Sequence, residues 1–192
     1  MKENRRAGAL CGCMTLALFA VLAAYMRANL ADAGTWGQTL ALAALFALAA
    51  GGAMFAVAGL QKPKRGMLML SCAVIMLTML ARVSMLDFVT ADYTSFLSGW
   101  VELFREGGFK TLGQNVGDYN LLYQYVLLLI AKVPLHDLYL IKLFTVIFDY
   151  ALALAMMRAA KYFAGERAAL PVLLIVCALP TALIDGACWG QC

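Results

Sequence analysis

The chain has 192 residues, of which 64% are hydrophobic and 14% are charged, and its mean hydropathy is +0.82. A soluble globular chain has about 45–50% apolar and about 25% charged residues, so this composition excludes an ordinary soluble domain and indicates an integral membrane protein. The formal charge of +4 does not indicate a nucleic-acid partner, because the basic residues are scattered over short loops and do not form one face.

The first part of the chain predicts three membrane-spanning helices. Three apolar runs have roughly the 20 residues that cross a hydrocarbon core of about 30 Å; they cover residues 7–26, 39–60 and 67–86. The loop before the third run carries Lys62, Lys64 and Arg65. By the positive-inside rule this loop and the N-terminus are predicted to be cytoplasmic. Arg82, one turn before the end of the third run, is expected to extend toward the interface.

The polar segment that follows, residues 87–118, is predicted to form an extracytoplasmic loop. Within it, five apolar residues recur with helical spacing on one face: Phe96, Leu97, Trp100, Val101 and Phe104. The charged residues of this helix fall elsewhere on the turn, and Gly107 and Gly108 end it. This pattern predicts an amphipathic helix that lies in the membrane interface.

Three more apolar segments, at residues 119–133, 138–157 and 168–184, are predicted as further spans of an all-α, polytopic helical bundle without a domain boundary. The first has only about 15 residues, which is marginal for a crossing. If all three cross, the basic loop 158–167 lies outside, against the positive-inside tendency. Either the first segment dips in without crossing, or a proline-broken half-helix returns the end of the chain outward. We favour an arrangement that brings the end to the outer face.

Two carboxylates follow the third apolar run. Asp87 has the pattern of a solvated loop charge, whereas Asp92 precedes aromatic residues that would hold its carboxylate against the membrane face, as a general base requires. Together, Asp87 and Asp92 could bind Mg²⁺ or Mn²⁺ through oxygen. The single histidine, His136, excludes a His-rich metal site within these residues.

Two further charges interrupt an apolar segment. Lys142 and Asp149 are seven residues apart and share one helical face. Because an ionisable group in a span usually faces the protein interior, a partner or a cavity, these side chains indicate either pairing with another helix or a polar pathway. Near the end of the chain, Asp185, Trp189 and Gln191 are typical of a site for hydroxyl-rich ligands, since an aromatic face packs on a sugar ring.

Several motifs occur in a fixed order: Asp92-Tyr-x-x-Phe-Leu-x-x-Trp100, Gly107-Gly108-Phe109, Asp118-Tyr119-Asn120-x-x-Tyr123-x-Tyr125, Leu138-Tyr139-Leu140-Ile141-Lys142, Phe148-Asp149, Pro180-Thr181 and Trp189-Gly190-Gln191-Cys192. In this order, residues 82–192 resemble the N-terminal region of bacterial membrane glycosyltransferases of the GT-C superfamily, specifically those similar to the second mannosyltransferase of GPI-anchor assembly. The chain departs from that pattern in its two extra preceding spans and in Gly99, where the family has proline.

The resemblance implies a catalytic aspartate in the first extracytoplasmic loop and a sugar donor linked to polyprenyl phosphate. Asp92 matches that aspartate best, and Asp87 is the second candidate. Seven residues are expected to bind substrate: Arg105, Asp118, Tyr119, Asn120, Lys142, Trp189 and Gln191. Positive charge for the departing phosphate would come from Arg105, from Lys110 or from a cation further along the longer protein.

The expected function is therefore transfer of a hexose, with mannose as the expected sugar, to a hydroxyl of a glycan or lipid acceptor at the extracytoplasmic face. Transfer would invert the anomeric carbon, with Asp92 as general base and with Mg²⁺ or Mn²⁺ as an optional cofactor. The rival hypothesis is a non-catalytic membrane protein or transporter subunit in which Lys142 and Asp149 mark a polar pathway. Family members have more spanning helices, so we expect these 192 residues to be the N-terminal part of a longer protein and inactive alone.

Overall fold

The computed structural model describes residues 2–114, 116–117 and 119–189. These residues form helices and connecting turns, with no strand among them, which confirms the all-α fold class. The α-helices are α1 (Lys2–Asn29), α2 (Trp36–Gln61), α3 (Arg65–Val83), α4 (Ser98–Gly107), α5 (Leu121–Ala131), α6 (Asp137–Ala164) and α7 (Glu166–Ala178). Two π-helical segments, Tyr93–Leu97 and Ala182–Trp189, and a 3₁₀ segment, Gly108–Gly113, complete the described structure.

Four helices, α1, α2, α3 and α6, are long and apolar enough to cross a membrane. A fifth candidate consists of α7 and the π-helical segment after it, which are bent by 47° relative to each other. The break follows from Pro180, because proline lacks the backbone N–H that would continue the helix and restricts the residue before it. The chain is therefore a multi-pass membrane protein by the length and composition of its helices.

The helical bundle has two ends, called the Asp87 end and the Lys62 end after residues that lie there. At the Asp87 end, the carboxylate of Asp87 accepts hydrogen bonds from the backbone N–H of Ala31, at 3.0 Å, and from the hydroxyl of Tyr139. These bonds join the ends of α1 and α3 to the start of α6. At the opposite, Lys62 end, the last turn of α2 and the last two turns of α6 line a common cavity.

The segment between α3 and α6 leaves and re-enters the bundle at the Asp87 end. Gln38, in the first turn of α2, donates a hydrogen bond from Nε2 to the carbonyl of Pro134 at 2.9 Å. Helix α5 has 11 residues and is about 16 Å long, roughly half the thickness of a hydrocarbon core. By its length, α5 alone does not cross a bilayer, and its position relative to the membrane stays a prediction.

Close packing of α1 on α2 depends on a small residue. A methyl group at Gly51 would lie 2.7 Å from side-chain atoms of Thr15, so glycine is required at this approach. Cys11 adds a long contact from its Sγ to the carbonyl of Met54, at 3.6 Å. Helices inside membranes commonly associate through such small residues, because these let the two backbones come near each other.

The expectation for Arg82 was wrong. Its side chain is fully buried, and Nη2 lies 3.4 Å from Oδ2 of Asp149 on α6. The guanidinium carbon lies 5.3 Å from the centre of the Tyr150 ring, a cation–π contact. Because a partner helix supplies a carboxylate at this depth, pairing replaces extension toward the interface.

Candidate functional site

Asp92 lies in the first turn of a helix that begins at Ala91 and continues into α4. The hydroxyl of Thr90 caps this helix by accepting a hydrogen bond from the backbone N–H of Tyr93 at 3.2 Å. The π-helical segment Tyr93–Leu97 follows immediately. Such wide turns are frequent at functional sites, because they shift the side chains that follow out of the regular helical register.

A cavity of about 260 Å³ opens beside Asp92 and is lined by Asp92, Phe96, Trp100 and Tyr119. The ring centres of Phe96 and Trp100 are 5.9 Å apart, and those of Trp100 and Tyr119 are 5.5 Å apart in a nearly perpendicular arrangement. Three aromatic rings and one carboxylate are thus brought to one small space. Aromatic faces offer apolar area that suits the C–H surface of a sugar ring, and a carboxylate accepts hydrogen bonds from hydroxyls.

Gly117 lets the backbone approach the ring of Trp100, which lines this cavity. Its φ is +63°, in the left-handed region, and a methyl group at this position would lie 2.3 Å from the indole ring. Only glycine satisfies both the backbone conformation and the close approach of the ring. The Trp100 ring therefore packs against the backbone at Gly117 and also contacts the ring of Tyr119.

Tyr93 connects the Asp92 helix to the bundle. Its hydroxyl donates a hydrogen bond to Oδ1 of Asp137, in the first turn of α6, at 2.7 Å. Burial and then this hydrogen bond to a carboxylate raise the pKa of the Tyr93 hydroxyl. Tyr93 consequently stays a proton donor at neutral pH, and the bond holds the residue next to Asp92 against α6.

Asp87, the second candidate for the catalytic aspartate, has a different environment. Its Oδ1 accepts from the hydroxyl of Tyr139 and its Oδ2 accepts from the backbone N–H of Ala31. The hydroxyl of Tyr139 in turn accepts from the backbone N–H of Asp32 at 3.3 Å. Both carboxylate oxygens are therefore engaged in joining three parts of the fold, and Asp87 is not among the residues that line the Asp92 cavity.

Lys142, expected to bind substrate, is fully buried and contacts the backbone. Its ammonium group donates to the carbonyls of Met85, Leu86 and Phe88 at 2.9, 2.9 and 2.7 Å. These carbonyls belong to the turn that follows α3. All three donors of the lysine are thus used on one turn, and the side chain stabilises the path of the chain into Asp87.

Arg105 is not among the residues that line the Asp92 cavity. Its guanidinium pairs with Glu102 one turn earlier on α4. It also lines a second cavity of about 460 Å³, together with Gln38 and Lys132. The described structure therefore places Arg105 beside another cation at the junction of α2, α4 and the end of α5.

Of the remaining candidates, two have described positions. Tyr119 lines the Asp92 cavity, and its ring lies 4.7 Å from that of Tyr123. Asn120 caps α5, with its Oδ1 accepting from the backbone N–H of Tyr123 at 3.0 Å. Asp118 and Gln191 lie outside the described residues, as does the side chain of Trp189.

The two candidate carboxylates, Asp87 and Asp92, are not part of a larger group of metal-ligating side chains among the described residues. Within the described ranges, no three His, Cys, Asp or Glu side chains are grouped so that they could hold a metal ion. Asp87 already accepts two hydrogen bonds from protein donors. The described residues therefore do not fit a Mg²⁺ or Mn²⁺ site shared by Asp87 and Asp92.

Sequence reasoning assigned no individual role to three residues that support the site: Tyr93, Gly117 and, as the partner of Asp87, Tyr139. Glycine at 117 could have been noticed, because it precedes a carboxylate in a polar loop where a left-handed turn is common. The hydroxyl contacts of Tyr93 and Tyr139 connect residues 44 and 52 positions apart. A local sequence pattern does not predict hydrogen bonds between residues so far apart in the chain.

Comparison of the chain with protein-family models, with curated proteins and with solved structures gives no match.

Proposed function

We propose that the protein is a membrane glycosyltransferase that moves a hexose, with mannose as the expected sugar, from a polyprenyl-phosphate donor to a hydroxyl acceptor on a glycan or lipid. The observation that supports this most is the cavity in which the Asp92 carboxylate meets the rings of Phe96, Trp100 and Tyr119. It combines a group able to accept a proton with apolar ring surface suited to a sugar. Resemblance of the sequence motifs to the GT-C superfamily supplies the donor and acceptor classes.

The distribution of charge suggests which end of the bundle faces outward. Cations outnumber carboxylates at the Lys62 end, where α2 and α6 end and α3 and α7 begin; they include Lys62, Lys64, Arg65, Arg158, Lys161 and Arg167. Carboxylates are more frequent at the other end, with Asp32, Asp87, Asp92, Glu102, Glu106 and Asp137. By the positive-inside rule, the Lys62 end is cytoplasmic and the Asp92 cavity is extracytoplasmic in this proposal.

In the proposed reaction, Asp92 removes the proton from the acceptor hydroxyl as its oxygen attacks C1 of the sugar. The new O–C1 bond forms while the bond from C1 to the phosphate oxygen breaks, and the electron pair leaves with the polyprenyl phosphate. A single displacement of this kind inverts C1. A positioned base is commonly worth about 10²–10⁴ in rate.

Asp87 has a supporting role in this proposal, because its oxygens are used on Ala31 and Tyr139. The negative charge that develops on the departing phosphate needs a cation nearby. Arg105 and Lys110 are the candidates for this role on the same segment of chain. Arg105 would first have to exchange its contact with Glu102 for the phosphate.

The test compares two identical chemical changes, Asp92→Asn and Asp87→Asn, in the intact gene product. Transfer of radiolabelled mannose from a polyprenyl-phosphate donor is measured for each variant in membranes, at matched protein abundance. We expect Asp92→Asn to lower turnover by about 10²–10⁴ and Asp87→Asn to retain most of the turnover while lowering thermal stability. Near-normal turnover of Asp92→Asn removes this residue from the base role, and a larger loss in Asp87→Asn transfers the role to that residue.

The rival hypothesis of a transporter subunit or scaffold is distinguished by binding. In that case the protein does not bind polyprenyl-linked sugars, and Trp100→Ala has no effect on the binding measurement. Under the glycosyltransferase hypothesis, Trp100→Ala raises KM for the donor or acceptor because it removes ring surface from the Asp92 cavity. The polar-pathway role of Lys142 has a competing explanation, since its three donors contact backbone carbonyls.

A further inference from the structure

The cavity at the Lys62 end of the bundle is separate from the Asp92 cavity and is lined by basic residues. Its volume is about 670 Å³, and its lining combines the last turn of α2 with the side chains of Arg158, Lys161 and Tyr162 from α6. The three cations that face it are Lys62, Arg158 and Lys161. Only Lys161 forms an ion pair in the described part of the chain, with Glu166 at 2.7 Å. The cavity therefore carries an excess of positive charge.

Lys62 is held there in an unfavourable backbone conformation. It follows α2 with φ 43° and ψ 52°, and it is the only non-glycine residue with positive φ in the described chain. Glycine or asparagine is the usual choice at such a helix end. A lysine at this position adds charge to the cavity, whereas glycine would relieve the strain.

The surroundings of the cavity are apolar and aromatic. Tyr162 and Phe163 are each 83% exposed, as is typical of aromatic side chains at the level of lipid headgroups. Leu60 lines the cavity. On α6, the exposed side chain of Ile147 lies three turns before Arg158 on the same face of the helix. A ligand that fits would carry negative charge at one end and apolar chains that continue along the helices.

From these observations we propose that this cavity binds the headgroup of an anionic phospholipid, with the phosphodiester between Lys62, Arg158 and Lys161. The acyl chains lie along the exposed apolar surfaces of α2 and α6. Basic pockets between membrane helices bind anionic lipid headgroups through this combination of charge and apolar surface. The proposal does not depend on the enzymatic activity, because the cavity is at the opposite end of the bundle from Asp92.

The test is a lipid titration of the purified protein in neutral detergent, read by native mass spectrometry. The probes are phosphatidylglycerol, phosphatidylcholine and soluble glycerol phosphate. The test variant is Lys62→Gln/Arg158→Gln/Lys161→Gln. The matched control, Lys64→Gln/Arg65→Gln/Arg167→Gln, removes the same charge from exposed residues at the same end of the bundle that do not line the cavity.

We expect phosphatidylglycerol to bind the parent protein at least about tenfold more tightly than phosphatidylcholine. The cavity variant is expected to lose about 10- to 100-fold in affinity for phosphatidylglycerol, since each nearby cation contributes on the order of tenfold or less. The control variant is expected to lose less than about threefold, because long-range charge attraction is screened.

Three results would overturn the proposal: equal binding of the two lipids, equal losses in the cavity and control variants, or unchanged affinity in the cavity variant. Glycerol phosphate that binds as tightly as phosphatidylglycerol would also overturn it, since the site would then recognise a free phosphate. If the triple variant does not fold, Arg158→Gln alone is measured, because Arg158 is exposed; an unchanged affinity in that variant counts against the proposal.

Discussion

Arg82 of α3 and Asp149 of α6 form an ion pair inside the helical bundle, with Nη2 and Oδ2 3.4 Å apart. Arg82 also donates to the carbonyl of Cys177 at the end of α7, at 3.5 Å. On the other side, a methyl group at Gly186 would lie 2.5 Å from Oδ2 of Asp149, so the π-helical segment after α7 packs directly on this carboxylate. The pair therefore joins α3, α6 and both halves of the broken span.

Removing only one member of this pair should destabilise the protein strongly. We expect Arg82→Met to lower the free energy of unfolding by about 3–5 kcal/mol, because it leaves the largely buried Asp149 carboxylate without its partner. The double variant Arg82→Met/Asp149→Leu should recover much of that loss, since neither charge remains. Unfolding in mixed micelles, followed by circular dichroism, measures both values. A double variant as unstable as Arg82→Met would mean that the charges themselves are required.

The hydrogen bonds of Lys142 predict a second stability effect. Lys142→Met removes the donors for the carbonyls of Met85, Leu86 and Phe88. A buried acceptor left unsatisfied costs about 1–3 kcal/mol, so we expect a loss on the order of 3 kcal/mol in the free energy of unfolding. Lys132→Met is the control, because Lys132 is exposed and an exposed substitution usually changes stability by about 0.5 kcal/mol or less. Similar melting temperatures for the two variants would contradict a structural role for Lys142.

The contact between Gly117 and Trp100 predicts a local effect on the Asp92 cavity. Gly117→Ala places a methyl group on the indole ring and strains a left-handed residue, so we expect a loss of about 1–3 kcal/mol and displacement of the ring. Gly99→Ala is the control, since open space surrounds this glycine of α4 and alanine favours a helix by up to about 1 kcal/mol.

Fluorescence separates these two glycine variants. Both are made in a background where Trp36 and Trp189 are replaced by phenylalanine, which leaves Trp100 as the single tryptophan. Quenching of Trp100 by acrylamide should increase in Gly117→Ala and stay unchanged in Gly99→Ala. Equal quenching in both variants would show that the position of the Trp100 ring does not depend on Gly117.

Much of the fold was predictable because hydrophobic length and helical periodicity are local properties. Apolar runs near 7–26, 39–60 and 67–86 fall within α1, α2 and α3 with its following turn. Of the predicted apolar stripe, Leu97, Val101 and Phe104 are buried, whereas Phe96 is exposed and Trp100 is partly exposed. The partners of the buried charges were not predictable in the same way. Arg82 and Asp149 are 67 residues apart, and nothing near either residue in the chain identifies the other.

The two candidate aspartates show which properties follow from the amino-acid sequence and which depend on the tertiary structure. Sequence alone determined a multi-pass helical protein, a polar segment between α3 and α5, and two carboxylates at its start, because composition and spacing decide what can lie in a bilayer. Tertiary structure decided that Asp87 joins α1 to α6, whereas Asp92 lines an aromatic cavity. The reason is physical: each carboxylate takes its role from groups brought beside it by folding, and those groups come from distant parts of the chain.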